Sequence, residues 1–147
     1  VVMDLPKNVQ ALVIAGRNEK LRERLVAKTA SEAERIQIHG FTDRVELFLA
    51  ASDLLLGKSG GLTVSEAMAM GVPMLVFRPL PGQEERNCDF LQESGAAIRV
   101  HDYEELHFRL MRFLHQPEIL DEMKQHARRV GRPRSAFAVA ESLLRGL

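Results

Sequence analysis

Apolar residues in this chain fall in short runs separated by longer amphipathic stretches, and a glycine or proline stands at nearly every junction. Residues 9–15 are β-branched and apolar and end at Gly16, which predicts a buried parallel strand. Asn18 is then placed to cap a helix whose Leu21, Leu25 and Val26 share one face. Residues 35–39 alternate Ile36 and Ile38 with polar neighbours and close at Gly40, a second strand. Asp43 stands as the cap of a short helix carrying Val45, Leu47, Phe48 and Leu49. A third strand is predicted over 53–56, a helix over 63–70 ending at Gly71, and a fourth strand over 74–77 after Val72-Pro73. A loop with Pro79, Pro81 and Gly82 leads to a helix over about 83–93, stopped by Gly95, and residues 97–100 make a fifth strand. The remainder reads as helices over 103–114, 119–130 and 136–144, separated by Pro117 and Pro133.

Regular alternation of strand and helix with short links predicts right-handed crossovers. The expected fold class is therefore α/β, a Rossmann-like parallel sheet with helices on both faces. Ligands of such sheets bind beyond the carboxyl ends of the strands. The segments Gly16-Arg17-Asn18, Gly40-Phe41-Thr42, Gly57-Lys58-Ser59 and Arg78-Pro79-Leu80 all follow predicted strands and should share one rim.

Composition narrows the function. At 147 residues the chain is the size of one domain. Its 20 basic and 20 acidic residues balance, so no long-range field draws it to nucleic acid. The single cysteine, Cys88, excludes an internal disulfide or a cysteine-based zinc cage and fits a reducing compartment. The five histidines show no metal-ligand spacing, and no metal site is expected. With no apolar run long enough to span a bilayer and no signal-peptide pattern, the expected place is the cytoplasm. Val1 is not a methionine and an apolar strand begins within ten residues, so the chain reads as a piece of something longer.

The richest chemistry lies in residues 53–90. A glycine turn (Gly57, Gly60, Gly61) between a strand and a helix start exposes backbone N–H groups at the positive end of the helix dipole, an arrangement suited to phosphate. Lys58, Ser59 and Thr63 cluster around it, and Glu66 follows one turn on, within reach of a ribose diol. The order is neither GxxxxGK[ST] nor GxGxxG, so ATP hydrolysis and dinucleotide binding are poorly supported. A glycine turn also occurs there for steric reasons alone, and Thr63-Val64-Ser65-Glu66 fits a capping box that would engage Glu66 internally. Gln83, Glu84 and Asn87 offer amides and a carboxylate at the next helix start, either for a sugar's hydroxyls or as an ordinary solvated N-terminus. Phe41, just after Gly40, is a stacking platform for a base or a plain core residue. Cys88 reads as packing, and the basic run Arg128, Arg129, Arg132 and Arg134 as a solvated face.

The stretch GKSGGLTVSEAMAMGVPMLVFRPLPGQEERN resembles the nucleotide-sugar half of GT-B glycosyltransferases of the family 28 type, notably monogalactosyldiacylglycerol synthases and processive diacylglycerol glucosyltransferases. Its G-G-x-T-x-x-E-A and P-x-P-G-Q-E-x-x-N segments stand in that family's order. The resemblance implies the C-terminal half of a GT-B fold: residues 1–147 would be a single donor-binding domain cut from a two-domain enzyme. Phe41 and Thr42 would flank uracil, Ser59, Gly60 and Gly61 would lie at the diphosphate with Lys58 less securely placed, and Glu66 would grip the ribose. Gln83, Glu84 and Asn87 would approach the sugar or phosphates, while Gly16 and Asn18 line the cleft floor.

The implied activity is metal-independent, inverting transfer of a hexose from a UDP-sugar to a lipid-type acceptor. UDP-sugar is the substrate and no cofactor is expected. The catalytic base and the acceptor site would belong to an N-terminal domain absent here, and peripheral contact with the cytoplasmic membrane face would come mainly from that half. Two rivals share the same sequence features: a UDP-sugar 2-epimerase-like domain and a non-catalytic glycosyltransferase-like subunit.

Overall fold

A computed structural model describes residues 1–146. Five strands and seven helices alternate in the order β1 (Ala11–Ile14), α1 (Glu19–Lys28), β2 (Ile36–His39), α2 (Val45–Ala50), β3 (Leu55–Gly57), α3 (Gly61–Ala69), β4 (Met74–Phe77), α4 (Gln83–Glu93), β5 (Ala97–Val100), α5 (Tyr103–His115), α6 (Pro117–Val130) and α7 (Ser135–Arg145). Short 3₁₀ turns occupy Val2–Asp4 and Ala30–Glu32. All strand pairing is parallel, as short helical crossovers require.

The strands form two sheets. β1 pairs only with β2, and β4 lies between β3 and β5. Leu75 of β4 stands opposite Leu56 on one side and Ile98 on the other. Here the structure departs from the single continuous sheet expected: β1 and β3 each have one neighbour and leave their other edge unpaired.

β4 is the centre of the larger block. Met74 and Val76 pack with Leu49 of α2, Ala67 and Met68 of α3, Cys88 and Leu91 of α4 and Ala127 of α6. Leu75 turns the other way and packs with Val100 of β5, Leu106 and Phe113 of α5 and Met123 of α6. Successive side chains of a strand point to opposite faces, so one apolar run serves two cores. Val72-Pro73 aims the chain into this run, and both are buried. α6 touches both cores through Met123 and Ala127, and its end at Gly131 lies against α3: a Cβ there would come 2.2 Å from the Met68 carbonyl oxygen. Burial pushes the Cys88 thiol above its usual range, in keeping with a packing role.

The smaller block is held by charge. Arg35, only 7 % exposed, donates from Nη1 to the Val2 and Val9 carbonyls (each 3.2 Å) and from Nη2 to the Met3 carbonyl (3.2 Å), while Nε meets Glu32 Oε2 at 2.6 Å. Glu32 also pairs with Lys7. Those two partners, Lys7 first and Arg35 second, hold the Glu32 carboxyl below the ordinary carboxylate range. Among the described residues no helix is long and apolar enough to cross a membrane.

Arg35→Ala should lower the unfolding free energy in urea by about 3 kcal/mol, because three carbonyls and a carboxylate lose their partner at a buried site. A group whose folded pKa is lowered stabilises above its unfolded value, near pH 4.3, and ceases to do so as pH falls through the folded one. The urea midpoint should therefore drop between about pH 5 and pH 3, and Glu32→Gln should flatten that drop.

Candidate functional site

The rim lies where the strands end. The loops after β1 and β2 meet each other there, as do those after β3 and β4, and they carry nearly every residue singled out from the sequence.

The β3–α3 turn is the best defined. α3 begins at Gly61 with Gly60 as its N-cap, two residues before the start expected at Thr63. Glycine is a poor helix former, which hides this start from a propensity reading. The first backbone bond of the helix runs from Val64 N to Gly60 O (2.9 Å), and no side chain caps it. The N–H groups of Gly61, Leu62 and Thr63 are thus left facing outward at the positive end of the dipole. Space is open as well: a Cβ built on Gly60 would meet nothing within 4 Å.

Thr63-x-x-Glu66 does not act as a capping box, because Thr63 already sits inside the first turn. Glu66 is exposed and makes no hydrogen bond or ion pair among the described residues. Ser65 instead turns back to the Gly61 carbonyl (Oγ to O, 2.9 Å). One turn beyond three unpartnered amides, then, stands one uncommitted carboxylate.

Ser59 has a different job from its neighbours. It is fully buried and donates from Oγ to the Glu84 carbonyl (2.6 Å), while Asn87 Nδ2 donates to the Ser59 carbonyl (2.8 Å). These two bonds tie the turn to the first turns of α4. Glu84 Oε2 accepts from Leu80 N (2.7 Å) and closes the β4–α4 loop, where Gly82 has φ +97° and Arg78 φ +50°. Gln83 alone of the three α4 polar residues keeps its side chain uncommitted; its Nε2 lies 3.3 Å from where a Cβ on Gly61 would be, over the open turn. Lys58 is exposed beside it.

The remaining residues sit on the smaller block. Asn18 caps α1 as expected, its Oδ1 accepting from Leu21 N (3.0 Å). Gly16 has φ +61° at the end of β1, and its carbonyl faces Gly40 after β2. Asp43 does not cap α2. The N-cap position is Arg44, one residue later, and no side chain caps the helix; in the loop before it Thr42 Oγ1 accepts from Arg44 N (3.0 Å). Phe41 is 61 % exposed and so is no core residue; the Arg17 guanidinium lies 4.6 Å from its ring centroid. The sequence places Arg17 on the rim but not over Phe41, since a contact across two loops leaves no local pattern.

The structure thus gathers Lys58, Ser59, Gly60, Gly61, Thr63, Glu66, Gln83, Glu84 and Asn87 in one unit, and Gly16, Asn18, Phe41 and Thr42 in another. Among the described residues, no three histidine, cysteine or carboxylate groups cluster to hold a metal ion.

Parallel sheets flanked by helices, with an uncapped glycine turn on the rim, form a Rossmann-like unit of the kind seen in the C-terminal half of a GT-B fold. Residues 2–130 match the model of the family described as glycosyl transferases group 1, and the chain belongs to that family. The chain is 32% identical over 137 residues to a processive diacylglycerol beta-glucosyltransferase of Bacillus subtilis, with 93% of this chain and 36% of that protein covered. The enzyme of the same description from Bacillus pumilus is 29% identical over 140 residues (95% and 37%). The chain therefore spans little more than a third of the curated relatives it matches. Among solved structures, Acinetobacter baumannii MurG superposes with a TM-score of 0.71 at 24% identity (95% of this chain, 43% of MurG). A UDP-N-acetylglucosamine 2-epimerase superposes at 0.72 with 22% identity (97% and 38%). Both show the fold.

Ser59→Ala should cost about 1–3 kcal/mol in urea unfolding, because the Glu84 carbonyl loses a buried donor. Glu66→Ala should leave stability within about 0.5 kcal/mol, as expected of an exposed side chain without partners.

Proposed function

We propose that residues 1–147 are the donor-binding part of an inverting glycosyltransferase that moves a hexose from a UDP-sugar to a lipid-type acceptor. The observation that carries this reading is the uncapped start of α3 with Glu66 free one turn beyond it. Family membership supports glycosyl transfer, and the diacylglycerol in the relatives' names supports a lipid acceptor.

In this reading the amides of Gly61, Leu62 and Thr63 meet the diphosphate, with Lys58 adding positive charge at the edge. Charge that grows on departing UDP is stabilised by dipoles already in place, which needs no reorganisation during the reaction. Glu66 accepts from the ribose hydroxyls. Phe41 offers one face to uracil while Arg17 covers the other, and the Gly40–Thr42 backbone meets the base edge.

Gln83 is the α4 side chain placed to reach the sugar or phosphates. Glu84, Asn87 and the Ser59 hydroxyl act indirectly, by fixing the turn. Gly16 and Asn18 line the floor through their backbone. A general base from an N-terminal acceptor domain deprotonates the attacking hydroxyl. Contact with a membrane, where the acceptor resides, falls to that same domain.

Calorimetric titration with UDP, UDP-glucose, UDP-galactose, UDP-N-acetylglucosamine and ADP tests the assignment. UDP and one UDP-hexose should bind, and ADP at least about tenfold more weakly, equivalent to about 1.4 kcal/mol. Glu66→Ala should weaken UDP binding by roughly 1–3 kcal/mol, the scale of hydrogen bonds to a charged group. An unchanged affinity in this folded variant would remove the ribose role, and a preference for UDP-N-acetylglucosamine with epimer formation would favour the epimerase reading instead.

A further inference from the structure

Among the described residues five have a positive φ, and four of them are glycine: Gly16, Gly71, Gly82 and Gly95. The fifth is Arg78, at φ +50°. In this left-handed region a Cβ crowds the backbone, so any side chain there is held under a strain that glycine would not bear. Pro79 adds to it, because a proline ring narrows the conformations open to the residue before it. Burial does not explain the choice, since Arg78 is exposed.

What the side chain does is stack. Its guanidinium lies 5.1 Å from the Phe77 ring centroid, and Phe77 stacks in turn on Tyr103, with centroids 5.3 Å apart and rings inclined by 27°. Phe77 ends β4 and packs against the core that holds Leu75, and Tyr103 begins α5. Arg78 is thereby anchored to two fixed elements.

Its place in the chain gives the strain a use. Arg78 is the first residue after β4, and the link over 78–82 carries the backbone from the centre of the sheet to Gln83 at the start of α4. Beyond Arg78 the link is held in several places: Pro79 is buried, Leu80 N donates to Glu84 Oε2 (2.7 Å), and Gly82 has φ +97°. Gln83 emerges from it with Nε2 over the open glycine turn. The direction in which the link leaves β4 is set at Arg78. An extended residue there would send the chain elsewhere and take Leu80 N away from Glu84.

We propose that Arg78 is a positioning residue of the donor site: its guanidinium, held on the Phe77–Tyr103 stack, keeps the backbone in the left-handed turn that brings Gln83 to the sugar or phosphates of the bound donor. This rests on the reading of the rim as a nucleotide-sugar site. Arg78 acts through the loop, and Gln83 makes the contact.

Calorimetric titration with UDP-glucose and UDP-galactose measures the coupling between the two residues. Arg78→Gly and Gln83→Ala should each weaken binding of the tighter ligand about 5–10-fold. The double variant should be no more than about twofold weaker than either, because residues acting through one contact are not additive. A loss of stability alone would not produce this pattern. Arg78→Gly suits the test because glycine accepts the turn, so the variant should stay folded, with Tm within about 3 °C of the wild type. Without ligand, its Leu80 amide should exchange at least about tenfold faster than in the wild type, while the Leu75 amide within the sheet is unchanged. Tyr103→Ala removes the exposed far end of the stack and should speed Leu80 exchange at least about threefold.

Unchanged Leu80 exchange in either stack variant would overturn the proposal and leave the donor reading intact. So would unchanged affinity in Arg78→Gly, or losses that multiply in the double variant. Wild-type protein that binds neither UDP nor either sugar nucleotide would end the donor reading and the role of Arg78 together.

Discussion

Two-sided burial of β4 is the constraint from which the larger block follows. Four residues, Met74–Phe77, must supply one face to α2, α3, α4 and α6 and the other to α5 and α6, so they are apolar throughout and do not alternate. With β4 fixed, β3 lies beside it in parallel register, and the turn after Gly57 has to emerge at the carboxyl end of the sheet. The position of the candidate site is thus a consequence of core packing. Its exposed amides owe their orientation to that packing.

Rigidity reaches the turn through Ser59 and Asn87. A loop rich in glycine has high conformational freedom and would lose much of it on binding. Two hydrogen bonds to α4 remove that freedom beforehand, and a third from Leu80 N to Glu84 holds the adjoining loop. Several polar residues of the motif therefore contribute by shaping the backbone, while Glu66, Gln83 and Lys58 keep their side chains available. Motif residues near one ligand need not all touch it.

Where punctuation is strong, the sequence was legible to the residue. β4, α4 and β5 lie over 74–77, 83–93 and 97–100 as read, because Val72-Pro73, Gly82 and Gly95 fix their ends. Other boundaries moved for physical reasons. α3 begins on glycine, which propensity disfavours but an open dipole end tolerates, and β3 runs Leu55–Gly57 because its register is set by β4 rather than by Asp53. Asp53 instead reaches Lys124 of α6, 2.6 Å away. Asp43 misses the N-cap position of α2, which falls on Arg44, by a single residue. Ser59 to Glu84, Asn87 to Ser59 and Arg17 over Phe41 join residues 24 or more apart, and no local pattern announces such pairs. Continuity of the sheet was the largest difference, since alternation of elements predicts strands without saying which edges meet.

Phe41 and Glu66 stand on separate blocks, and this has a thermodynamic corollary. A nucleotide touching both would act as a staple, and part of its intrinsic binding energy would go into fixing the mutual orientation of the two blocks. Anything that rigidifies that seam from elsewhere would tighten the nucleotide without adding a contact to it. Affinity at the rim would then serve as a gauge of how completely the surrounding scaffold has been assembled.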